Sequence, residues 1–262
     1  MAQLKPAVPA PEHTSVNDVV NILWTGGWDS TFRVLDLVLL KNKTVQPYYV
    51  KSTGRESVEL EVQTMDNIRR MLLEQAPQSG ALLLPTIYIN VQDIKPNETL
   101  TQQYKRLASA KHLGTQYDFL ARFAAEAGIE NLELSIHKDD HAQKFLLEYV
   151  EATDQGANYR LQENPSYEDL KLFQYFRFPL LDLTKLDMEK TAARHNFLHI
   201  MNETVFCHTP KNGKPCGYCN PCRYTMEEGL SRRIPLVPRL KFYIKRLLRP
   251  YLKPLLQRVK SN

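Results

Sequence analysis

Val19-Val20-Asn21-Ile22-Leu23-Trp24-Thr25-Gly26-Gly27-Trp28-Asp29-Ser30-Thr31 decides the reading of this chain. An apolar run ends abruptly at two glycines, and a segment with helical periodicity starts at once. Phe32, Leu35, Val38 and Leu39 can share one face between Asp29 and Leu40. A strand, a sharp turn and a helix in that order form the phosphate-binding corner of α/β proteins. Glycines let the backbone turn tightly and approach a ligand, and free amides at a helix start attract anions. The hydroxyls of Thr25, Ser30 and Thr31 add donors. Asp29 could brace the turn or help to hold Mg²⁺. The plainer alternative is an ordinary strand–helix turn capped by Ser and Thr. Neither a Walker loop nor a dinucleotide G-x-G-x-x-G is present.

Outward from this corner the alternation continues. Gln46–Val50, Leu82–Ile89 and Asn131–Ile136 read as further strands. Val58–Gln75, Tyr104–Ala127 (broken near Gly114) and Ala142–Ala152 read as helices. Residues 153–170 are polar, carry Gly156 and Pro165, and read as a loop over the carboxyl edge of the sheet. The expected fold is α/β, an open parallel sheet with helices on both faces. Residues 1–16 read as a flexible leader that lacks the basic start and apolar run of a signal peptide. No stretch approaches the ~18 apolar residues of a spanning helix. The expected location is therefore cytoplasmic.

All four cysteines fall within one short segment: Cys207, Cys216, Cys219 and Cys222, spaced C-x8-C-x2-C-x2-C. Gly213, Pro215, Gly217 and Pro221 supply turns for wrapping the chain around one ion. Structural Zn²⁺ is the expectation. An iron–sulfur cluster and a pair of disulfides are the alternatives.

Later segments tie the glycine corner to the cysteines. Phe178-Pro179-Leu180-Leu181-Asp182-Leu183-Thr184-Lys185 ends in a good N-cap, with Asp187 placed to complete a capping box. Lys185 in the first turn opposes the helix dipole, which calls for an anionic partner, bound phosphate being the obvious one. Thr25-Gly26-Gly27-Trp28-Asp29-Ser30 resembles the SGGxDS loop of the PP-loop ATP pyrophosphatases. With the PLLDLTK segment and the cysteine spacing, residues 18–230 are similar to the 7-cyano-7-deazaguanine synthases, the QueC family.

The resemblance implies a HUP/Rossmann-like ATP-binding domain (17–200) and a four-cysteine zinc lobe (201–230), and a basic tail (231–262) follows them in the sequence. The resemblance also implies ATP, Mg²⁺ and Zn²⁺ as cofactors. Thr25, Gly26, Gly27, Trp28, Asp29, Ser30, Thr31 and Lys185 would bind nucleotide, with Lys185, Asp29 and Ser30 catalytic. The reaction implied is adenylation of a carboxylate, then attack by ammonia to an amide or nitrile. The family's Tyr-Pro-Asp-Cys-Arg segment is absent, and His137-Lys138-Asp139-Asp140-His141 stands there instead. That cluster reads either as a general base and carboxylate-binding group or as a solvated turn with an aspartate N-cap. The acceptor therefore need not be the deazapurine. A PP-loop tRNA-modifying enzyme and a non-catalytic nucleotide-binding partner protein are the rival readings.

Of the net charge of +5, residues 231–262 supply +10 and the rest of the chain −5. Leu240, Tyr243, Ile244, Leu247, Leu248, Tyr251, Leu252, Leu255 and Leu256 recur at helical spacing among the cations. Pro250 and Pro254 are expected to break this pattern into short helices. Three uses fit the tail: lying on an anionic membrane at its inner face, binding RNA phosphates, or packing on its own domain or a sister subunit in a homo-oligomer.

Overall fold

A computed structural model describes residues 19–52, 57–110 and 113–259, with the backbone alone described for 249–259. The expected leader, 1–16, lies outside the described residues. Strand β1 (Val19–Leu23) runs into the glycine turn and α1 (Trp28–Leu35), which closes in a π-turn over Asp36–Leu40. β2 (Thr44–Lys51), α2 (Val58–Gln75), the single turn α3 (Pro77–Gly80) and β3 (Ile87–Asn90) follow. The expected strand over 82–89 is thus a lone bridge at Leu83 and then β3. α4 (Glu98–Ala110) and α5 (Gln116–Ala127) are separated beside Gly114, as the broken periodicity predicts.

β4 (Leu132–Glu133) lies parallel beside β1 and β7 (Phe176–Arg177) parallel beside β4; with β5 at Val150–Thr153 and β6 at Asn158–Leu161 the order is β3-β2-β1-β4-β7-β6-β5. The chain steps outward from β1 to β3, then returns to the other side of β1 at β4. The β1–β4 boundary is a topological switch point, where the carboxyl ends of strands open a crevice. Successive residues of β1 point to opposite faces. Ile22 and Trp24 join a core with α1, α2 and residues of α7 (Lys185–Arg194) and α8 (Leu198–Asn202), while Leu23 joins another with α4, α5 and α6 (His141–Leu146). Helices on both faces are thereby accounted for.

The sheet is mostly parallel but not wholly so. α6 ends at Leu146, one turn of 3₁₀ helix follows, and β5 (Val150–Thr153) then pairs antiparallel with β6 (Asn158–Leu161). β6 is in turn antiparallel to β7. The expected helix over 142–152 and the loop over 153–170 are both corrected by this hairpin. Its turn holds Asp154, Gln155 and Gly156 at positive φ, so the glycine serves a hairpin and not a lid.

Arg33 of α1 is buried and donates to both carboxylate oxygens of Glu133 on β4, at 2.7 and 2.6 Å, and to Asp36 at 2.8 Å. This bidentate pair locks the helix behind the glycine turn onto the neighbouring strand. Beyond α8 come α9 (Asn220–Glu227) and a last helix, α10 (Leu236–Val259). α10 runs through Pro250 and Pro254 without a break, contrary to expectation. Each proline removes one intrahelical hydrogen bond, and the flanking turns keep theirs. Among the described residues, no helix is long and apolar enough to cross a membrane.

Candidate functional site

Gly26 makes the corner at φ +69, a conformation that L side chains rarely adopt. A β-carbon there would sit 3.2 Å from the Glu61 carbonyl oxygen and 3.3 Å from Met65 and Thr64 side-chain atoms of α2. The turn thus needs glycine both for its dihedral and for the close approach of α2. Gly27 is the N-cap of α1 and contributes no side-chain cap, which leaves the helix amides facing the crevice. Val205 N donates to the Gly26 carbonyl at 3.0 Å, so the segment leading into the cysteines clamps the turn from above.

Residues of the turn divide between the crevice and the core. Thr25, Gly27, Trp28 and Asp29 line a cavity of about 770 Å³, within the range of small-ligand sites. The Ser30 hydroxyl is 3.3 Å from Thr25 N and 3.4 Å from its hydroxyl, bracing the turn. Thr31 is fully buried, and its hydroxyl accepts from Trp24 Nε1 at 3.0 Å. It pins α1 to β1 and is not among the residues that line the cavity.

Lys185 is the first residue of α7. Thr184 caps that helix, and the capping box with Asp187 forms as the sequence predicts: Asp187 N to Thr184 Oγ1 is 3.1 Å, Thr184 N to Asp187 Oδ2 3.2 Å. Lys185, for which bound phosphate is the expected partner, meets two carboxylates of the protein itself. Its Nζ lies 2.8 Å from Glu228 Oε2 and 3.6 Å from Asp29 Oδ2. His137, at the carboxyl end of β4, completes a tetrad, with Nε2 3.4 Å from Glu228 and Nδ1 3.8 Å from Asp29.

Burial disfavours charge on Lys185, yet Asp29 and Glu228 more than offset it and raise its pKa. His137 is raised in the same way, against burial, by Asp29 and Glu228. Burial pushes Glu228 up, but His137 and Lys185 outweigh it and pull it down to about 2. The tetrad sets Lys185 and His137 against two carboxylates, which favour the protonated form of both. Trp28 Nε1 and Asp29 Oδ1 are buried in this wall without a hydrogen-bond partner in the protein, as in a pocket shaped for a polar ligand.

The charged run 137–141 divides its roles. Asp140 is the N-cap of α6, accepting from Ala142 N at 2.8 Å, which is the plain structural use. His137 is buried in the tetrad, and Asp139, His141 and Lys144 line the same cavity.

Glu228 and Arg233 are the residues that the sequence reading did not single out. Arg233 stacks 4.9 Å from the Trp28 ring and 4.8 Å from Phe206, and donates to Thr204 Oγ1 at 2.8 Å and to the Thr204 carbonyl. Burial, then Arg232, lowers its pKa to about 10.

The four cysteine sulfurs lie within 4.8 Å of one another, and Cys216–Cys222 and Cys219–Cys207 are 3.9 Å apart. A tetrahedron of Zn–S bonds of ~2.3 Å has edges of about 3.8 Å, so the donor set fits a single zinc ion. A cubane seats each thiolate on a separate iron and spreads them wider. None of the four forms a disulfide. Backbone amides of Cys216 and Gly217 donate to the Cys207 and Cys222 sulfurs at 3.2 and 3.3 Å, as amides around metal-bound thiolates do. Burial raises the Cys216 pKa, but donors from Tyr218, Thr209 and Cys219 overcome it and bring it to about 6. Cys219 is the N-cap of α9 and Glu228 its C-cap. The helix that leaves the cysteine cluster therefore delivers Glu228 to Lys185.

Residues 115–232 match the family model of the queuosine biosynthesis protein QueC. The matched span contains His137, Lys185, all four cysteines and Glu228, and starts after the glycine turn. It is consistent with a QueC-like protein of the PP-loop superfamily and supports, in broad terms, an ATP-dependent enzyme of that type that forms carbon–nitrogen bonds. No curated protein matches the chain.

Proposed function

We propose that this protein adenylates a carboxylate with ATP, releasing pyrophosphate, and that ammonia then displaces AMP to give an amide or, after a second activation, a nitrile. The observation that carries the reading is the meeting of two helix starts across one cavity. The uncapped α1 terminus after Gly26-Gly27 and Lys185 at the head of α7 face the same space. That pairing suits an anion with several charges.

The carboxylate oxygen attacks the α-phosphorus, and the α–β anhydride bond breaks with its electron pair leaving on pyrophosphate. Lys185 and the α1 amides stabilise charge that grows on the leaving group. An incoming triphosphate competes with Glu228 and Asp29 for Lys185. The two carboxylates would hold Mg²⁺, which when bound neutralises phosphate charge. His137 holds its proton to higher pH than a free imidazole, because Asp29 and Glu228 face it, and when protonated would add positive charge at the crevice. Lys144 on the same wall is placed to meet the carboxylate of a substrate. Cys207, Cys216, Cys219 and Cys222 would hold Zn²⁺ as a structural ion, whose effect on chemistry is to fix Glu228.

The experiment is AMP and pyrophosphate release by the zinc-loaded chain with ATP, ammonia and a panel of carboxylates, 7-carboxy-7-deazaguanine included. The reading predicts AMP release that depends on one carboxylate. ATP that binds but is never cleaved with any of them would favour the non-catalytic alternative.

A further inference from the structure

α10 sits on the cysteine lobe by one narrow edge. Pro238 packs so closely on Gly217 that a β-carbon at Gly217 would lie 2.1 Å from the proline ring. Phe242, one turn on, packs against the cysteine cluster. At about 100° per residue, Leu240 and Leu247 fall on roughly the opposite side of the helix from this edge. There Leu236, Val237, Leu240, Ile244, Leu247 and Leu248 form a continuous apolar face, 47 to 73% exposed. Lys241 and Lys245 flank it on one side and Arg239 and Arg246 on the other. No Asp or Glu occurs from residue 231 to the end.

We propose that this outward face is a docking surface for an anionic lipid bilayer, on which α10 lies flat. The body holds the helix by the edge that carries Pro238 and Phe242, so the broader apolar face is presented outward with cations along both margins. That is the cross-section of an interfacial helix, whose apolar side chains enter the acyl boundary while Lys and Arg stay among headgroups. The helix is not apolar enough to span. A second copy of the same helix would set cation rows against each other with no carboxylate between them. A nucleic acid would meet the cations and leave the apolar face uncovered. A lipid surface satisfies both.

The test is co-sedimentation of the full-length, zinc-loaded chain with vesicles. One set is phosphatidylcholine, and the other carries about 30% phosphatidylglycerol; binding to the anionic set is expected to be on the order of tenfold tighter or more. The double variant Leu240→Ser/Leu247→Ser is expected to lose vesicle binding with zinc content and far-UV circular dichroism unchanged. Lys241→Gln/Lys245→Gln is expected to weaken it and to reduce its salt dependence. Equal binding to both vesicle types, absence of binding, or retention of binding by the double serine variant overturns the proposal. So does a dimer, or an RNA complex, that depends on Leu240 and Leu247 while vesicles are ignored.

Discussion

Replacing Glu228 by Gln keeps the shape of the side chain and removes the charge that joins Lys185 to His137. The structure sets the magnitude. Contacts of 2.8 Å to Lys185 and 3.4 Å to His137 hold this carboxylate at a pKa of about 2, against 4.5 when free. A carboxylate held that far down contributes about 3 kcal/mol to folding, and solvent at the open mouth of the cavity reduces this to about 1–2 kcal/mol. That contribution is fully present above pH 4.5 and is lost as pH falls towards 2.

His137 adds a second, opposite dependence. Its pKa is raised above 6.5, so its share is full below 6.5 and is lost as pH rises through the raised value. Glu228→Gln removes part of what raises it. The stability gap between wild type and variant is therefore expected to be widest between pH 4.5 and 6.5 and to narrow as pH rises through the raised His137 value. Urea unfolding of the zinc-loaded proteins across that range measures the gap, and the imidazole resonance of His137 reports its pKa directly. A gap below about 0.5 kcal/mol at every pH, or a His137 pKa unmoved by the substitution, would refute the tetrad as drawn.

Gly26→Ala forces an L residue to φ +69 against α2, and chemical denaturation is expected to show a loss of about 1–3 kcal/mol. Glu133→Ala leaves the buried Arg33 with Asp36 as its one remaining carboxylate and is expected to cost about 3 kcal/mol, whereas the double change Arg33→Met/Glu133→Leu recovers most of it. A double variant no more stable than Glu133→Ala would contradict that account. Cys222→Ser is expected to abolish stoichiometric zinc by elemental analysis, expose residues 201–230 to trypsin, and weaken ATP binding through misplacement of Glu228.

The glycine corner, the Thr184–Asp187 capping box and the break beside Gly114 were legible because each is set by neighbours a few residues apart. So was the cysteine cluster, whose ligands fall on one short segment. The β5–β6 hairpin was missed although Tyr149-Val150-Glu151-Ala152-Thr153 and Asn158-Tyr159-Arg160-Leu161 flank the turn residues Asp154-Gln155-Gly156. A strand pattern of four residues at a sheet edge is too short to outweigh a preceding helical run. Thr31 shows a second limit: its hydroxyl suits a phosphate by type, and only the position of Trp24 reveals that it is taken. Glu228 carries no local signal at all. It reaches Lys185 and His137 only because the cysteine lobe folds back over the switch point. The one hint was its place at the end of the helix that starts from Cys219.

ATP binding to the zinc-loaded, full-length chain, by titration calorimetry with wild type and Lys185→Ala side by side, bears most directly on the central claim. The account predicts saturable binding by wild type and an affinity roughly 10- to 100-fold weaker in the variant. Failure of the metallated wild type to bind ATP, or equal affinity in the two proteins, would contradict it.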